Sequence, residues 1–546
     1  MQVMNDASLP NDPAALREMI RSLHEQLEER DSQLAERDTQ LAERDTQLAD
    51  ANQVVDELTE KVRLYEAIIH AKRSEQQAKP GKDEEQYSLF DEAEVVAQEP
   101  PSEPEPETVR VPEHSRSKRG RKPISESIPR RDVVHDIPEE EKVCGCGCEL
   151  TRIGEVVSEK LHFVPATVEV ERHIRPKYAC RQCEGTEDDG PTLKVAPMPP
   201  QLIKQGIATS GLLAYILVNK FCDGLPFYRQ SRMFDRLGVD ISRSTMSSWA
   251  LQAAGKCEPL IDLLFEKLRE GDIINLDETP VQILGEVGRK NTTTSYMWVA
   301  RGGEDGKPVV LFRYAPSRSG KVARQLVGNF QGYLQTDGYA GYDALGEAEG
   351  IVHVGCLVHV RRKFMEALKA GSKKKKGTAS TVVDLIGKLY HLESQARKEE
   401  LSLDGIAAMR REKVQPILKK IKEQMQGAIE SVPPKSLLGQ ALSYGLGQWP
   451  RIEAYLLDPR LTPDNNPAEN AIRPFAVGRK NWLFSGSPRG AFASAALYSL
   501  VESAKANGLN PLEYLAFLFD RIPQAESRED LEALLPWAMS KTPSAE

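Results

Sequence analysis

Three acidic residues and one cysteine cluster carry the chemistry this sequence offers. Asp277 closes the apolar run Asp272-Ile-Ile-Asn-Leu-Asp277, and Asp337 follows Gly332-Tyr-Leu-Gln-Thr. Glu469 stands about one turn into a helix opened by Asp464-Asn-Asn-Pro467, an Asx-type cap with proline in the first turn. Singly, each acid is ordinary: a strand-end Asp often shapes a turn, and a Glu early in a helix serves the dipole. Brought together, three hard carboxylates suit two Mg2+ or Mn2+ ions. One ion would activate an attacking oxygen and the other stabilise a leaving 3′ oxygen in an in-line phosphodiester displacement.

The cysteines point to a second metal. Cys144-Gly-Cys146-Gly-Cys148 and Cys180-Arg-Gln-Cys183 flank a stretch that alternates like short strands. Two Cys turns closing a small β unit build a structural zinc ribbon, since tetrahedral Zn2+ takes four thiolates from two knuckles. Cys144, Cys146, Cys180 and Cys183 are the expected ligands, with Cys148 open as a substitute in the first knuckle. Cys222, Cys257 and Cys356 are scattered, a distribution that argues for a metal site in a reducing compartment over a disulfide scaffold. Cys356-x-x-His359 reads as half a zinc site without a second pair close in sequence, so packing or DNA positioning is its expected role.

Positioning the acids falls to a split α/β pattern. Strand-like runs at 272–277, 295–300 and 309–314 precede a helical run from Gly320 to Asn329, the strand before Asp337, a further strand at 351–354 and the helix of Arg361 to Leu368. This βββαβ order is the layout of a ribonuclease-H-like core, in which the first and fourth strands are neighbours and Asp277 would meet Asp337. The core is expected over 256–490, with a helical insertion at about 370–455 and a helical tail at 491–546.

Upstream, residues 195–255 read as a helix-turn-helix: Leu225 to Gly238, a turn through Ser242 as N-cap, and a second helix from Arg243. A plain αα-hairpin is the alternative. In a recognition helix Arg243, Ser244, Thr245, Ser247 and Ser248 would face bases and phosphates. A basic arm at 114–135 contains Arg119-Gly-Arg121-Lys122-Pro123, which looks like an AT-hook core; Lys122 replaces the usual proline, so a general phosphate-binding arm is expected. Residues 136–190 would be the zinc-binding ribbon.

From Ile20 an apolar residue recurs every seventh position through Leu27, Leu34, Leu41, Leu48, Val55, Val62 and Ile69, the seam of a coiled coil at 14–75. The companion seam is filled by Arg30, Arg37 and Arg44 in its middle, so a solvated single helix is the alternative. Pairing would make the protein a dimer or higher oligomer. The linker at 76–113 is rich in Glu and Pro and is expected to be disordered. Within it Gln86-Tyr-Ser-Leu-Phe90 resembles the peptide by which replication proteins dock on the bacterial sliding clamp; a local hydrophobic contact is the alternative.

Composition agrees with a multidomain protein that handles nucleic acid. The 546 residues are 40% hydrophobic and carry a formal net charge of −9, but the charge is split. Residues 1–113 hold 12 Lys and Arg against 28 Asp and Glu, net −16, and the remainder holds 60 against 53, net +7. The basic body fits a phosphate partner and the acidic tail does not. No signal peptide and no long apolar run stands out, so a cytoplasmic, nucleoid-associated protein without membrane contact is expected.

Asp277-Glu-Thr, Thr336-Asp-Gly-Tyr, Gly355-Cys-Leu-Val-His359-Val-Arg-Arg-Lys-Phe364, Asp464-Asn-Asn-Pro-Ala-Glu469 through Arg473-Pro, and Gly478-Arg-Lys-Asn-Trp-Leu-Phe-Ser-Gly-Ser487 together resemble the large transposase of the bacterial insertion sequence 66 family. The likeness extends from the zipper to the tail Tyr498 to Gly508. It implies that Asp277, Asp337 and Glu469 are a DDE triad, with Asp277 shared by two ions and the other acids completing one each. It also implies water attack at the element's end, joining of the freed 3′-OH to target DNA, and accessory proteins encoded by the same element. Arg473, Arg479 and Lys480 would steady transition-state charge or simply hold phosphate, and Arg361, Arg362 and Lys363, with Lys373 to Lys376, would extend a basic DNA track. Trp482 is expected in the core, with stacking on an unpaired end base as the alternative. Two rival functions remain: a zinc and helix-turn-helix regulator, which leaves the acids unexplained, and a nuclease of the same core that cuts without joining. Glycosidase chemistry would need a sugar cleft, which the basic surroundings oppose.

Overall fold

A computed structural model describes residues 12–69, 167–179, 193–370 and 377–539. Cys144, Cys146, Cys148, Cys180, Cys183, Arg119, Arg121, Lys122, the peptide Gln86 to Phe90 and the lysines 373–376 lie outside these segments. Contacts divide the chain into residues 102–197 and a larger unit of 1–101 with 198–546. In the smaller unit β1 (Lys177–Ala179) pairs antiparallel with β2 (Leu193–Val195), and Arg175 donates to the Ala196 carbonyl at 3.1 Å.

The larger unit begins with one 57-residue helix, α1 (Pro13–Ile69). Its heptad residues Ile20, Leu27, Leu34, Leu41, Leu48, Val55 and Val62 are each between 53% and 64% exposed, so the described residues leave the apolar seam largely uncovered. Near its end Glu60 accepts a hydrogen bond from the Leu437 N–H at 3.0 Å. No helix among the described residues is long and apolar enough to cross a membrane.

Four helices lead to the sheet: α2 (Ser210–Phe221), α3 (Phe227–Arg236), α4 (Arg243–Lys256) and α5 (Glu258–Leu268). The turn between α3 and α4 uses Gly238 at φ +78 and ends on Ser242, whose hydroxyl accepts from the Thr245 N–H at 3.1 Å. Met246, Trp249, Ala250, Ala253 and Ala254 bury one face of α4.

A mixed six-stranded sheet forms the centre: five strands run in the order β5-β4-β3-β6-β7, with β3 (Ile273–Ile283), β4 (Thr294–Gly302), β5 (Val309–Ala315), β6 (Gly332–Gln335) and β7 (Ile351–Val354), and the short β8 (Phe484–Ser485) pairs parallel with the end of β3. The first three strands pair antiparallel, while β3, β6 and β7 run parallel, with α6 (Gly320–Val327) between β5 and β6. The first and fourth strands are therefore neighbours. The strand that carries Asp277 is longer than its apolar run suggested: pairing with β4 continues to Gln282, so Asp277 lies mid-strand instead of at a strand end. Pro280 falls between the β6 pairing, which stops at Asn275, and the β8 pairing, which starts at Gln282, so it interrupts neither ladder.

After α7 (Leu357–Ala370) the chain builds a helical layer from α8 (Thr378–Lys398), α9 (Leu403–Met409), α10 (Gln415–Ile429) and α11 (Leu437–Glu453). This layer has its own buried core, including Phe364, Ile386, Leu389, Ile421 and Trp449. The Arg410 guanidinium grips Glu393 through two bonds of 2.9 and 3.0 Å and also donates to the carbonyls of Asp458 (3.1 Å) and Leu461 (2.8 Å). A fully partnered buried pair of this kind is costly to break on one side only, and here it fixes the loop that leads into α12 (Asn466–Trp482).

The closing helix α13 (Pro488–Ala506) covers the edge strand β5. Ser499 Oγ accepts the Phe312 N–H at 2.8 Å, and Ser503 Oγ accepts from the Val310 N–H at 3.0 Å and donates to its carbonyl at 2.9 Å. Serines thus occupy ladder positions that would otherwise be open for pairing with another strand. Phe312, Phe475 and Tyr498 pack behind them, and α14 (Pro511–Arg521) and α15 (Arg528–Glu532) complete the layer.

Candidate active site

The parallel register of β3 and β6 ends at Asn275 opposite Gln335. Two residues further along stand Asp277, still on β3, and Asp337, just past the end of β6. Asn275 Nδ2 donates to Gln335 Oε1 at 3.0 Å and to Asn465 Oδ1 at 3.2 Å. Asn465 Nδ2 in turn donates to the Leu276 carbonyl at 2.7 Å, and Gln335 Nε2 donates to the Thr462 carbonyl at 2.7 Å. All three amides are buried, so each needs these partners. The clasp holds the start of α12 against β3, with Glu469 near enough to Asp277 for its charge to act there.

Electrostatics register the convergence. Burial, followed by the charges of Glu278, Glu469 and Asp337, pushes the Asp277 carboxyl well above the usual carboxylate range, although it accepts the Glu278 N–H at 2.8 Å. Glu278 itself is buried between the Arg318 guanidinium and the Tyr342 hydroxyl, both of which donate to it. Arg318 also reaches Asp337 Oδ2 at 3.7 Å and lies over the Tyr339 ring at 3.8 Å. Tyr339 completes the loop by donating its N–H to Asp337 Oδ1 at 2.9 Å. From the helical layer, Tyr444 of α11 packs on Gly338 so closely that a Cβ there would overlap its hydroxyl.

Glu469 has a second set of neighbours. The one trio of His, Cys, Asp or Glu donors among the described residues whose ligand atoms all lie within 4.8 Å of one another is Cys356, His359 and Glu469. His359 Nε2 stands 3.6 Å from Glu469 Oε1, which is buried and accepts no hydrogen bond. Cys356 Sγ is buried and accepts the Asn465 N–H at 3.3 Å.

Of the residues proposed to meet DNA, Arg243, Ser244 and Ser247 are exposed on the first turns of α4 and Thr245 is half-buried there. Arg361 and Arg362 are partly buried and Lys363 exposed on α7, in the turns after His359. Arg473 lies one turn after Glu469 on α12, with Arg479 half-buried and Lys480 exposed at the far end of that helix. Trp482 is partly buried, 5.4 Å edge-on to Phe475 and beneath Lys220. Sequence reasoning missed Asn275, Gln335, Asn465, Glu278, Arg318 and Tyr444. The amides inside apolar runs were the available signal, since a polar residue in a buried strand demands a partner.

Family models match along the chain: the transposase IS66 family over residues 205–493, the zinc-finger binding domain of transposase IS66 over 141–184, the IS66 C-terminal element over 499–537, and a segment described as transposase C of IS166 homeodomain over 57–133. The chain is 33% identical to the uncharacterized protein y4qI of Sinorhizobium fredii, with 98% of each chain aligned. It is 33% identical to y4jD of the same organism over 76% of this chain and 81% of that one, and 29% identical to y4hP over 80% of each. With the transposase model spanning more than half of its length, the chain belongs to the IS66 transposase family.

Proposed function

We propose that the protein is a DDE transposase that cleaves DNA at the ends of an insertion sequence and joins the freed 3′-OH ends to target DNA. The observation that carries this is the placement of Asp277 on β3, Asp337 just after the neighbouring β6 and Glu469 on α12, where the charges of Glu469 and Asp337 add to burial and Glu278 in raising the Asp277 carboxyl. This strand order, βββαβ with the acids on the first strand, after the fourth and on a later helix, supports a ribonuclease-H-like core.

The donor set fits divalent metal: burial, then the charges of Glu278, Glu469 and Asp337, hold the Asp277 carboxyl up, and a cation among these carboxylates would relieve it. When bound by Asp277, Asp337 and Glu469, two Mg2+ or Mn2+ ions would supply an activated attacking oxygen and a stabilised leaving oxygen. Around them the protein's own groups do the positioning. The Asn275 clasp sets the helix that carries Glu469, Arg318 and the Tyr339 N–H orient Asp337, and Arg473 and Lys480 offer positive charge to the phosphate backbone. Zinc belongs with the matched zinc-finger segment, held by Cys144, Cys146, Cys180 and Cys183 or with Cys148 in the first knuckle.

DNA is the partner that the exposed Arg243 and Ser247 face of α4 fits best. The uncovered seam of α1 fits a second copy of the chain. Joining end-bearing DNA to a target plasmid in Mg2+ or Mn2+ tests the activity: Asp277→Asn should lose at least about a hundredfold, or roughly 2.7 kcal/mol of transition-state stabilisation. Retained joining in that variant would overturn the assignment, and cutting without joining would favour a nuclease.

A further inference from the structure

Glu469 lies between two different ligand sets. On one side are Asp277 and Asp337, hard oxygen donors only. On the other are the Cys356 thiol and the His359 imidazole, with all three ligand atoms of this second set within 4.8 Å of one another. We infer that Cys356, His359 and Glu469 form a separate site for a zinc-class transition ion, and that this ion, once bound, draws Glu469 away from the magnesium-binding acids.

Three observations carry the site. The donors are sulfur, imidazole nitrogen and carboxylate, the combination that selects Zn2+ over Mg2+ or Ca2+. Glu469 Oε1 is buried without a hydrogen bond and stands 3.6 Å from His359 Nε2, so a ligand atom is aimed into the gap and unused. The Asn465 N–H pointing at Cys356 Sγ at 3.3 Å is the outer hydrogen bond that a metal thiolate takes from backbone. Charge also balances: a thiolate and a carboxylate neutralise a dication at a site where Cys356 is buried and His359 and Glu469 are partly so. The elements are held independently of any ion, because α7 follows β7 directly and the Asn275 clasp fixes the start of α12. Three protein ligands leave a fourth tetrahedral position for water or a phosphate oxygen.

The inhibitory consequence rests on the proposed transposase chemistry, whereas the site does not. A carboxylate ligated to zinc beside Cys356 is not available to a magnesium ion beside Asp277, so zinc should inhibit.

Metal content of the full-length protein decides first, after equilibration with excess Zn2+ and removal of free ion. Wild type should retain about one zinc per chain more than Cys356→Ser or His359→Ala, in keeping with a discrete tetrahedral site; equal content overturns the site. Unfolding midpoints confirm that the variants fold. Zinc-edge anomalous scattering from wild-type crystals needs no variant: a peak bounded by Cys356, His359 and Glu469 supports the site, and peaks elsewhere alone overturn it. The second readout is zinc inhibition of magnesium-dependent cleavage, in which Cys356→Ser should raise the half-inhibitory concentration at least about tenfold, or 1.4 kcal/mol. An unchanged concentration overturns the competition. Absence of any cleavage in wild type would instead count against the transposase chemistry and leave the zinc count to judge the site.

Discussion

The side-chain amide of Asn275 donates to Asn465 across 3.2 Å although 190 residues separate them. That bond and its partners join the first strand of the sheet to the helix bearing Glu469. The helical layer between them is therefore tied back to the sheet at the point where the acids meet.

Replacing Asn275 with alanine should loosen the site before it unfolds the protein. The change strips a donor from Gln335 and from Asn465, both buried, and an unsatisfied buried acceptor costs about 1–3 kcal/mol. A lower unfolding midpoint in urea with strand transfer reduced more than substrate binding is the expected pattern. A change in DNA binding alone would show that the amide does not position Glu469.

Gly338 should tolerate no side chain while Tyr444 is present. A Cβ at this position would meet the Tyr444 hydroxyl, and overpacking of this kind costs about 1–3 kcal/mol. Gly338→Ala should cut strand transfer, because the adjacent Asp337 must move. Tyr444→Phe should recover part of the loss, giving a coupling of at least about 0.5 kcal/mol in a double-mutant cycle; strictly additive effects would refute the contact.

How far these contacts could be read in advance depended on their range. Strands β4 and β5 and helix α12 follow from apolar runs, alternation and a proline-bearing helix start, all local features. Asp277 was legible as an acid on a buried strand, but its mid-strand place depends on pairing with β4, which no local pattern encodes. Arg318 sits in a Ser-Arg-Ser loop without periodicity, and its role appears only once Glu278 and Asp337 are adjacent. Cys356 and His359 found no partner in sequence because the third donor, Glu469, comes from a helix beyond the whole helical layer.

Asp464 supplies a pH dependence. Burial raises its carboxyl to about 6 from an ordinary value near 3.8. The folded state thus binds this proton more tightly than the unfolded chain, and the group's stabilising contribution is full below about pH 4 and lost as pH rises through about 6. Asp464→Asn keeps an oxygen for the Asn466 N–H and removes the charge. At neutral pH the variant should be more stable by up to roughly 3 kcal/mol, with the gain shrinking towards pH 4. His353, lowered to about 4 by burial, works in the opposite sense in both proteins and cancels in the comparison. A pH-independent difference would show that Asp464 does not titrate in this window.

Arg243 opens α4 and is exposed, so its loss should leave the fold intact. If this helix lies on DNA, Arg243→Ala should weaken binding to element ends and lower the slope of log affinity against log salt by about 1, the signature of one lost phosphate contact. Weaker binding with an unchanged salt slope would point to base contact, and unchanged binding would remove α4 from the interface.

The seam of α1 makes the most direct claim about assembly. Leu34 and Leu41 are 57% and 56% exposed in the single chain, yet they lie in a run of eight heptad positions filled by apolar residues. A lone helix gains nothing from that spacing, whereas a paired one buries it. The companion seam is weakened by Arg30, Arg37 and Arg44, so the middle of the helix depends on these leucines for cohesion. Changing both to glutamate removes four buried side chains from a two-chain assembly, roughly 6 kcal/mol at about 1.5 each, or about four decades in Kd. Light scattering should then report a monomer where wild type is a dimer or larger, while the unfolding midpoint of the sheet core stays put because neither leucine packs against it. An unchanged mass would assign assembly to another surface and leave α1 a solvated helix held by its own Glu and Arg pairs.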